Sequence, residues 1–193
     1  MPEIIAIANQ KGGVGKTTTT VNLAAALHEI GKKTLLVDLD TQGNATTACG
    51  IDKSNLRASV YDLFLGETTM ENTMLYSEAN GFWVLPANKD LMAAEIQLLE
   101  LREREFQLKQ ILTKIDARFD YVLIDSPPSM NILTLNALAA AHGVIIPAQC
   151  EYYALEGLTG LLETINKIQE KINPELKIKG VLRTMFDVRN SLA

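Results

Sequence analysis

The stretch Asn9-Gln10-Lys11-Gly12-Gly13-Val14-Gly15-Lys16-Thr17-Thr18 decides the fold of this chain. A short apolar run, Ile4–Ala8, precedes it, and a segment with the apolar spacing of a helix follows from residue 17 to residue 30. A strand, a glycine-rich loop and a helix therefore come in the order that a phosphate-binding loop requires. Backbone N–H groups of such a loop and the positive end of the helix both attract anions. The stretch predicts a phosphate site.

The side chains of the loop add a cation and a metal ligand to this site. We expect Lys16 to reach the β and γ phosphates of a bound nucleotide and the Thr17 hydroxyl to ligate Mg²⁺. One ammonium about 4 Å from one phosphate charge contributes roughly 4 kcal/mol at an effective dielectric near 20. The alternative is a glycine-rich turn that contains lysines by chance, and the flanking strand and helix disfavour it. The predicted nucleotide-binding residues of the loop are Lys11, Gly12, Gly13, Val14, Gly15, Lys16, Thr17 and Thr18.

Strand-length apolar runs alternate with helical patterns along the rest of the chain. The predicted strands after the first are Thr34–Val37, Phe82–Leu85, Tyr121–Ile124, Val144–Ile146 and Ile178–Leu182. Few polar residues interrupt these runs, which is typical of strands covered on both faces. Helices are predicted for residues 131 to 141, for residues 90 to 116 as one helix or two, and for a stripe of seven apolar residues from Leu155 to Ile172. The alternation predicts an α/β fold with a mostly parallel sheet flanked by helices on both faces.

The composition fits one soluble domain. The 193 residues carry 47% hydrophobic side chains and a formal charge of −5, so residues 1–193 are expected to form a single domain. The acidic balance argues against a surface that is basic throughout, although a local basic patch stays possible. Cys49 and Cys150 are far apart and suggest neither a metal site nor a disulfide. No apolar stretch reaches 18 residues and no leader pattern is present, so we expect a cytoplasmic protein without a membrane anchor.

Three acidic residues follow predicted strands. Asp38 and Asp40 end the second strand and Asp125 ends a later one, so all three should converge near the phosphate loop. Asp125 is predicted to hold a water of Mg²⁺, with a helix N-cap as the alternative. Asp40 is predicted to orient or deprotonate the attacking water, with a turn-forming role as the alternative. Asp38 is expected nearer the metal shell.

Two positions in the loop depart from the general phosphate-loop pattern. Gln10 stands where a glycine is usual, and Lys11 adds a second lysine. With these features, the run from Ile4 to Asn22 resembles the ParA/Soj branch of the deviant Walker A ATPases. The resemblance implies that Lys11 reaches across an ATP-bridged homodimer to the partner's nucleotide and acts in catalysis with Lys16 and Asp40. It also implies that two subunits approach closely at Gly12.

Later segments resemble the same branch. The stretch from Ile146 to Gly157 is similar to the one that follows the family's fifth strand, and it implies that Glu151 touches the partner's ribose; a solvated loop acid is the alternative. Residues 180–190 resemble the segment leading to the family's DNA-contacting surface, where Arg189 matches a DNA-binding arginine; an ordinary exposed arginine is the alternative. Thr41 stands where the family usually has proline, and we expect it to loosen the loop and alter the rate.

The resemblance implies a Mg-ATP-dependent dimerisation switch that hydrolyses ATP slowly in chromosome or plasmid partitioning. The ATP dimer would bind DNA nonspecifically, and a ParB-like activator would trigger hydrolysis, which places the protein in the cytoplasm at the nucleoid. The chain is expected to be shortened at its C-terminus relative to the family, whose later part carries adenine contacts.

Other functions share the phosphate loop. A MinD-like ATPase that positions a division site would need an amphipathic membrane helix. An electron-transferring iron protein of the nitrogenase type would need cysteines to hold its cluster. A module that binds nucleotide without turnover stays open, and an ATPase assay separates it from the switch.

Overall fold

The computed structural model describes residues 1–115, 118–187 and 189. Within this part of the chain, seven strands form one sheet. The strands are β1 (Glu3–Ile7), β2 (Thr34–Asp38), β3 (Leu75–Ser77), β4 (Phe82–Leu85), β5 (Tyr121–Asp125), β6 (Gly143–Gln149) and β7 (Lys177–Thr184). The α-helices are α1 (Lys16–Glu29), α2 (Asn44–Ala48), α3 (Val60–Leu65), α4 (Met70–Thr73), α5 (Leu91–Gln97), α6 (Gln107–Leu112), α7 (Ile132–Ala140) and α8 (Tyr152–Lys171).

The strands lie in the order β3-β4-β2-β5-β1-β6-β7. All neighbouring pairs are parallel except the pair of β3 with β4 at one edge, where Leu75 to Ser77 run antiparallel to β4. The parallel strands therefore end at a common edge of the sheet. In the register, Ile7 of β1 and Asp38 of β2 both lie beside Asp125 of β5. The ends of three adjacent strands thus surround one point, which the loop before α1 also reaches.

Apolar clusters cover both faces of the sheet. One cluster packs inward-facing strand residues such as Val122 and Val144 against α3 and α5 to α8. The other packs residues such as Leu36 and Leu123 against α1 and α2. Burial of both faces accounts for the nearly unbroken apolar strands, and the predicted α/β fold with a mostly parallel sheet is confirmed.

The segment from residue 90 to residue 116 differs from one long helix. It forms α5, two 3₁₀ turns at Leu98–Glu100 and Arg104–Phe106, and then α6. The Asn136 side chain of α7 fixes the break, because its amide donates to the Arg104 carbonyl at 2.8 Å and its oxygen accepts from the Leu108 N–H at 3.0 Å. Apolar residues of the segment pack into the core, as their spacing predicts. The break in the helix lies where the buried Asn136 amide of α7 bonds to the backbone.

The apolar stripe of α8 packs largely as predicted. Leu161, Ile165 and Ile168 are buried, and Leu158, Leu162 and Ile172 are partly buried against the same core. The side chain of Leu155, which the prediction also included, lies outside the described residues. The short helices α2 to α4 and the edge strand β3 were not predicted.

Candidate nucleotide and metal site

The glycine-rich loop joins β1 to the first turn of α1 at the carboxyl edge of the sheet. Gly15 directly precedes α1 with a φ of 93°, a conformation that L side chains rarely adopt. Three hydrogen bonds hold the loop in place. The Asn9 side chain accepts from the Lys11 N–H at 3.0 Å and donates to the Pro147 carbonyl at 2.7 Å. The Thr184 hydroxyl of β7 donates to the carbonyl of the buried Val14 at 2.8 Å.

Lys16 is buried at the start of α1. It is 7% exposed, and its ammonium donates to the Lys11 carbonyl at 3.1 Å. Burial lowers the pKa of Lys16, while the carboxyl groups of Asp125 and Asp40 act in the opposite direction. The amine therefore contacts the backbone of the loop and lies near enough to two acids for them to act on its charge, a position suited to bridging a phosphate and the carboxylates.

Asp125 receives two threonine hydroxyls from α1. Thr17 donates to one carboxyl oxygen at 2.7 Å, and Thr20 donates to the other at 3.1 Å. Asp125 is fully buried at the end of β5, and burial raises its pKa to about 7, with nearby Asp38 adding to the rise and the two hydroxyls opposing it. A bound cation would favour the ionised form. The N-cap alternative for Asp125 finds no support, because the cap of α7 is Asn131.

The residues around Asp125 fit a magnesium ion. The neighbouring Ser126 hydroxyl is buried and makes no hydrogen bond within the described part of the chain, so it is available to a water or phosphate oxygen. No group of three or more His, Cys, Asp or Glu suited to a metal occurs in that part either. Mg²⁺ does not require such a group, since it retains several waters and takes one or two protein ligands beside phosphates. The Thr17 hydroxyl and the Asp125 carboxylate lie together at this point, as the predicted ligand and the predicted holder of a Mg²⁺ water require, and both roles stay predictions.

Asp38 has its carboxylate engaged by the loop that follows β2. One oxygen accepts from the Asp40 N–H at 3.0 Å, and the other accepts from the N–H and hydroxyl of Thr46 at 2.8 and 2.7 Å. Burial raises the pKa of Asp38 to about 6. These contacts indicate that Asp38 organises the loop. They give no support to its predicted place in the metal shell, which stays a prediction.

Asp40 lies in the same loop and is 7% exposed. Its carboxylate accepts from the Gln42 N–H at 2.9 Å, and its carbonyl accepts from the Gly43 N–H at 2.8 Å. Gly43 has a φ of 59°, and a Cβ there would lie 2.6 Å from the Ala87 carbonyl oxygen, so the turn requires glycine. Asp40 therefore makes turn contacts, as the alternative interpretation expects, while it also acts on the charge of Lys16. Its role toward water stays a prediction.

Lys11 contrasts with Lys16, because its side chain is 41% exposed. Its ammonium donates to Gln149, the last residue of β6, at 2.9 Å and to the Glu151 carboxylate just beyond that strand at 3.0 Å. Gln149 in turn donates to the Gly13 carbonyl at 3.2 Å. Glu151, predicted to touch a partner's ribose or to be a solvated acid, thus forms an exposed ion pair within its own chain.

The remaining predicted residues lie at the surface. Gly12 is exposed, and a Cβ on it would contact only Pro128 at 3.9 Å, so this chain by itself tolerates a side chain there. Thr18 is exposed on α1. Arg189 is 87% exposed in its side chain and pairs with Asp187 at 2.6 Å, which offsets part of its charge. Its two chain neighbours lie outside the described residues.

Sequence reasoning missed four supporting side chains: Thr20, Thr46, Gln149 and Thr184. Only Thr20 has a local signal, since it follows Thr17 by one helical turn and must face the same strand end. Gln149 and Thr184 reach the site from elements far away along the chain, and Thr46 reaches Asp38 because the loop after β2 turns back; no spacing rule links these three residues to the site.

Comparisons with known proteins identify the family. Residues 2–178 match the AAA domain family. The chromosome partitioning protein ParA of Myxococcus xanthus is 49% identical over 98% of this chain and 67% of its own length. The chromosome-partitioning ATPase Soj of Thermus thermophilus is 50% identical over 98% of this chain and 72% of its own length.

A solved structure agrees in fold. A Mycobacterium smegmatis protein named cobyrinic acid a,c-diamide synthase, with bound ADP and magnesium, superposes with a TM-score of 0.95 at 47% identity, covering 98% of this chain and 77% of that one. In the described ranges of the present chain, no helix is long and apolar enough to cross a bilayer. From its fold, phosphate loop and relatives, the chain belongs to the AAA domain family and, within it, to the ParA and Soj partitioning ATPases.

Proposed function

We propose that this ATPase is a Mg-ATP-dependent dimerisation switch with slow turnover, acting in chromosome or plasmid partitioning. The observation that carries the proposal is the placement of the two loop lysines. Lys16 is buried beside two carboxylates, whereas Lys11 extends over the surface to an exposed ion pair. We assign the first lysine to the chain's own nucleotide and the second to a contact with a second subunit.

Binding of ATP uses the loop and the start of α1. The backbone N–H groups from Gly12 to Thr18 surround the phosphates, and Lys16 exchanges its bond to the Lys11 carbonyl for the β and γ phosphates. Thr17 would ligate Mg²⁺ and Asp125 would hold one of its waters, and the bound ion would neutralise phosphate charge. The Mycobacterium smegmatis relative carries bound ADP and magnesium, which supports a nucleotide with Mg²⁺ as the bound groups here.

Hydrolysis depends on the loop that follows β2. Asp40 orients the attacking water or takes its proton, because it is the acid near Lys16 that has neither a threonine hydroxyl nor a full set of backbone donors on its carboxylate. Asp38 holds this loop through Thr46. Turnover stays slow until a ParB-like activator completes the arrangement, as in GTPases that await an activator.

Dimerisation moves Lys11. Its bonds to Gln149 and Glu151 lie at the surface, where an ion pair contributes at most about 1 kcal/mol, so leaving them costs little. Contact with the highly charged phosphates of the partner's ATP more than offsets that cost. Glu151 is then released to accept a ribose hydroxyl across the interface, and Gly12 permits close approach of the two loops.

DNA binding follows from the dimer. Arg189, together with Arg183 on β7, provides a weak basic patch on each subunit, and pairing two patches raises the apparent affinity without a basic monomer. The dimer therefore associates with the nucleoid and releases DNA after hydrolysis.

The Asp40→Ala variant tests the switch. We expect it to bind ATP and to form ATP-dependent dimers while phosphate release falls by about 100-fold, a typical loss for one general base. The matched control is Asp52→Ala, since Asp52 is an exposed acid bonded to Ser54. Normal turnover in Asp40→Ala would remove Asp40 from its assigned role.

A further inference from the structure

A second pocket lies at the opposite edge of the sheet from the phosphate loop. It has a volume of about 380 Å³, within the range of small-molecule sites. It opens where β2 and β4 begin, whereas the nucleotide site lies where the parallel strands end. The lining side chains come from the end of α1, the loop before β2, the hairpin of β3 with β4 and the residues before β5: His28, Lys32, Lys33, Thr34, Tyr76, Trp83 and Arg118 among others.

The pocket concentrates positive charge. Among the described residues that line it, the charged side chains are Lys32, Lys33 and Arg118, and all of them are basic. Two acids lie nearby and offset part of this positive charge. The Asp120 carboxylate accepts from the backbone N–H of Lys33 at 2.8 Å, and Glu71 lies 4.0 Å from Arg118 at the surface. In a chain with a formal charge of −5, this cluster favours an anion.

One wall of the pocket is aromatic. Tyr76 and Trp83 are paired across β3 and β4, with ring centroids 5.4 Å apart at an angle of 64°. Tyr76 is 42% exposed although the pair lies beside a hydrophobic core. Exposed aromatic faces beside lysine and arginine side chains are typical of surfaces on which nucleic-acid bases stack.

The floor of the pocket holds an unused polar group. Thr34, the first residue of β2, lines the pocket and is 2% exposed. Its hydroxyl makes no hydrogen bond within the described part of the chain. A buried hydroxyl without a partner costs free energy, and a water or a polar ligand atom at this end of β2 would satisfy it.

We propose that this pocket binds a nucleoside phosphate, either as a free mononucleotide or as one unit of a single strand of nucleic acid. Lys32, Lys33 and Arg118 attract the phosphate, the Tyr76 and Trp83 rings stack with the base, and the Thr34 hydroxyl bonds to a polar atom of the ligand. The volume accommodates one nucleotide. This site is separate from the phosphate loop and does not depend on the dimerisation switch.

Trp83 provides a direct measurement, because it is the single tryptophan of the chain. With the phosphate loop first saturated with Mg-ADP, the protein is titrated with thymidine monophosphate, an oligothymidylate of about eight units, or inorganic phosphate. We expect quenching of Trp83 fluorescence by the nucleotide or the oligonucleotide, weakening as salt is raised. A response to both ligands identifies a mononucleotide site, and a response to the oligonucleotide alone identifies a single strand as the source.

Variants separate this site from an unspecific effect. The double variant Lys32→Glu, Lys33→Glu should weaken binding by about tenfold or more, since two attractive charges become repulsive. Lys171→Glu, an exposed reversal on α8, is the matched control and should bind like the wild type. Tyr76→Ser keeps the reporter and removes part of the aromatic wall, so it tests the same site if the double variant does not fold. Absence of quenching by both thymidine ligands, an equal response to inorganic phosphate, or unchanged affinity in folded variants would overturn the proposal.

Discussion

Lys16 and Lys11 belong to one loop and have the same side chain, but they differ in exposure and in their charged neighbours. Lys16 is 7% exposed and lies beside Asp125 and Asp40, whereas the side chain of Lys11 is 41% exposed and pairs with Glu151. The difference indicates that burial, rather than residue type, determines the role of a lysine in this loop. A buried lysine with fixed partners serves a fixed ligand, and an exposed lysine with a weak partner can exchange it.

The surroundings of the two lysines differ in the same sense. Around Lys16, buried hydroxyls and carboxylates form a connected set, and the pKa of Asp125 is raised to about 7 because burial disfavours its charge. Around Lys11, Gln149 and Glu151 form two bonds at the surface. Changes near Lys16 should therefore have large effects, and changes near Lys11 smaller ones that appear only when two subunits meet.

The largest effect is expected for Lys16→Ala. Removing a buried cation from the phosphates should weaken ATP binding by about 100-fold or more, given roughly 4 kcal/mol for one contact before desolvation. Calorimetry with ATP and Mg²⁺ measures this loss. Lys171→Ala, which removes an exposed lysine from α8, is the control and should bind ATP normally. Equal affinities of the two variants would place the phosphates elsewhere.

A smaller effect should separate the two threonines that bond to Asp125. Thr17→Val should reduce ATPase activity by about tenfold or more, because it removes a metal ligand. The Mg²⁺ concentration needed for half-maximal activity should rise for the same reason. Thr20→Val removes only a supporting bond and should lower the free energy of unfolding by about 1 kcal/mol. ATPase titrations with Mg²⁺ and thermal melts measure both. If Thr20→Val raised the Mg²⁺ concentration needed for half-maximal activity more than Thr17→Val does, the two assignments would be reversed.

The position of the buried lysine could be predicted from the sequence, and that of the exposed lysine could not. Strand, glycine loop and helix are consecutive, so local order fixes Lys16, Thr17 and the edge of the sheet where they lie. The parallel sheet then brings Asp125 to the same edge. These inferences need only periodicity and chain order.

The contacts that sequence reasoning missed depend on how strands, loops and helices pack against one another. Lys11 bonds to Gln149 and Glu151 because β6 lies beside β1, and the pairing of exposed side chains has no signature along the chain. Asp38 bonds to Thr46 because Gly43 lets the backbone turn back sharply against Ala87. Asn136 of α7 bonds to the backbone between α5 and α6, where the helical segment is interrupted. Tertiary packing decides each of these contacts.

The smallest effect is expected for Glu151→Gln. The change removes the charge of an exposed ion pair and keeps the shape of the side chain, so it should alter ATP-dependent dimerisation by a few-fold at most. If the pair holds Lys11 back, dimers should form at lower protein concentration. Sedimentation over a range of concentrations measures the shift, and Glu170→Gln, a change of an exposed acid on α8, serves as the control.

Sedimentation of the wild type and of Lys11→Ala, each with Mg-ADP and then with Mg-ATP, tests the central claim most directly. The account predicts that the wild type is monomeric with ADP and dimeric with ATP, and that Lys11→Ala binds ATP but stays monomeric with both nucleotides. Dimers of Lys11→Ala that form with ATP as readily as those of the wild type would contradict it.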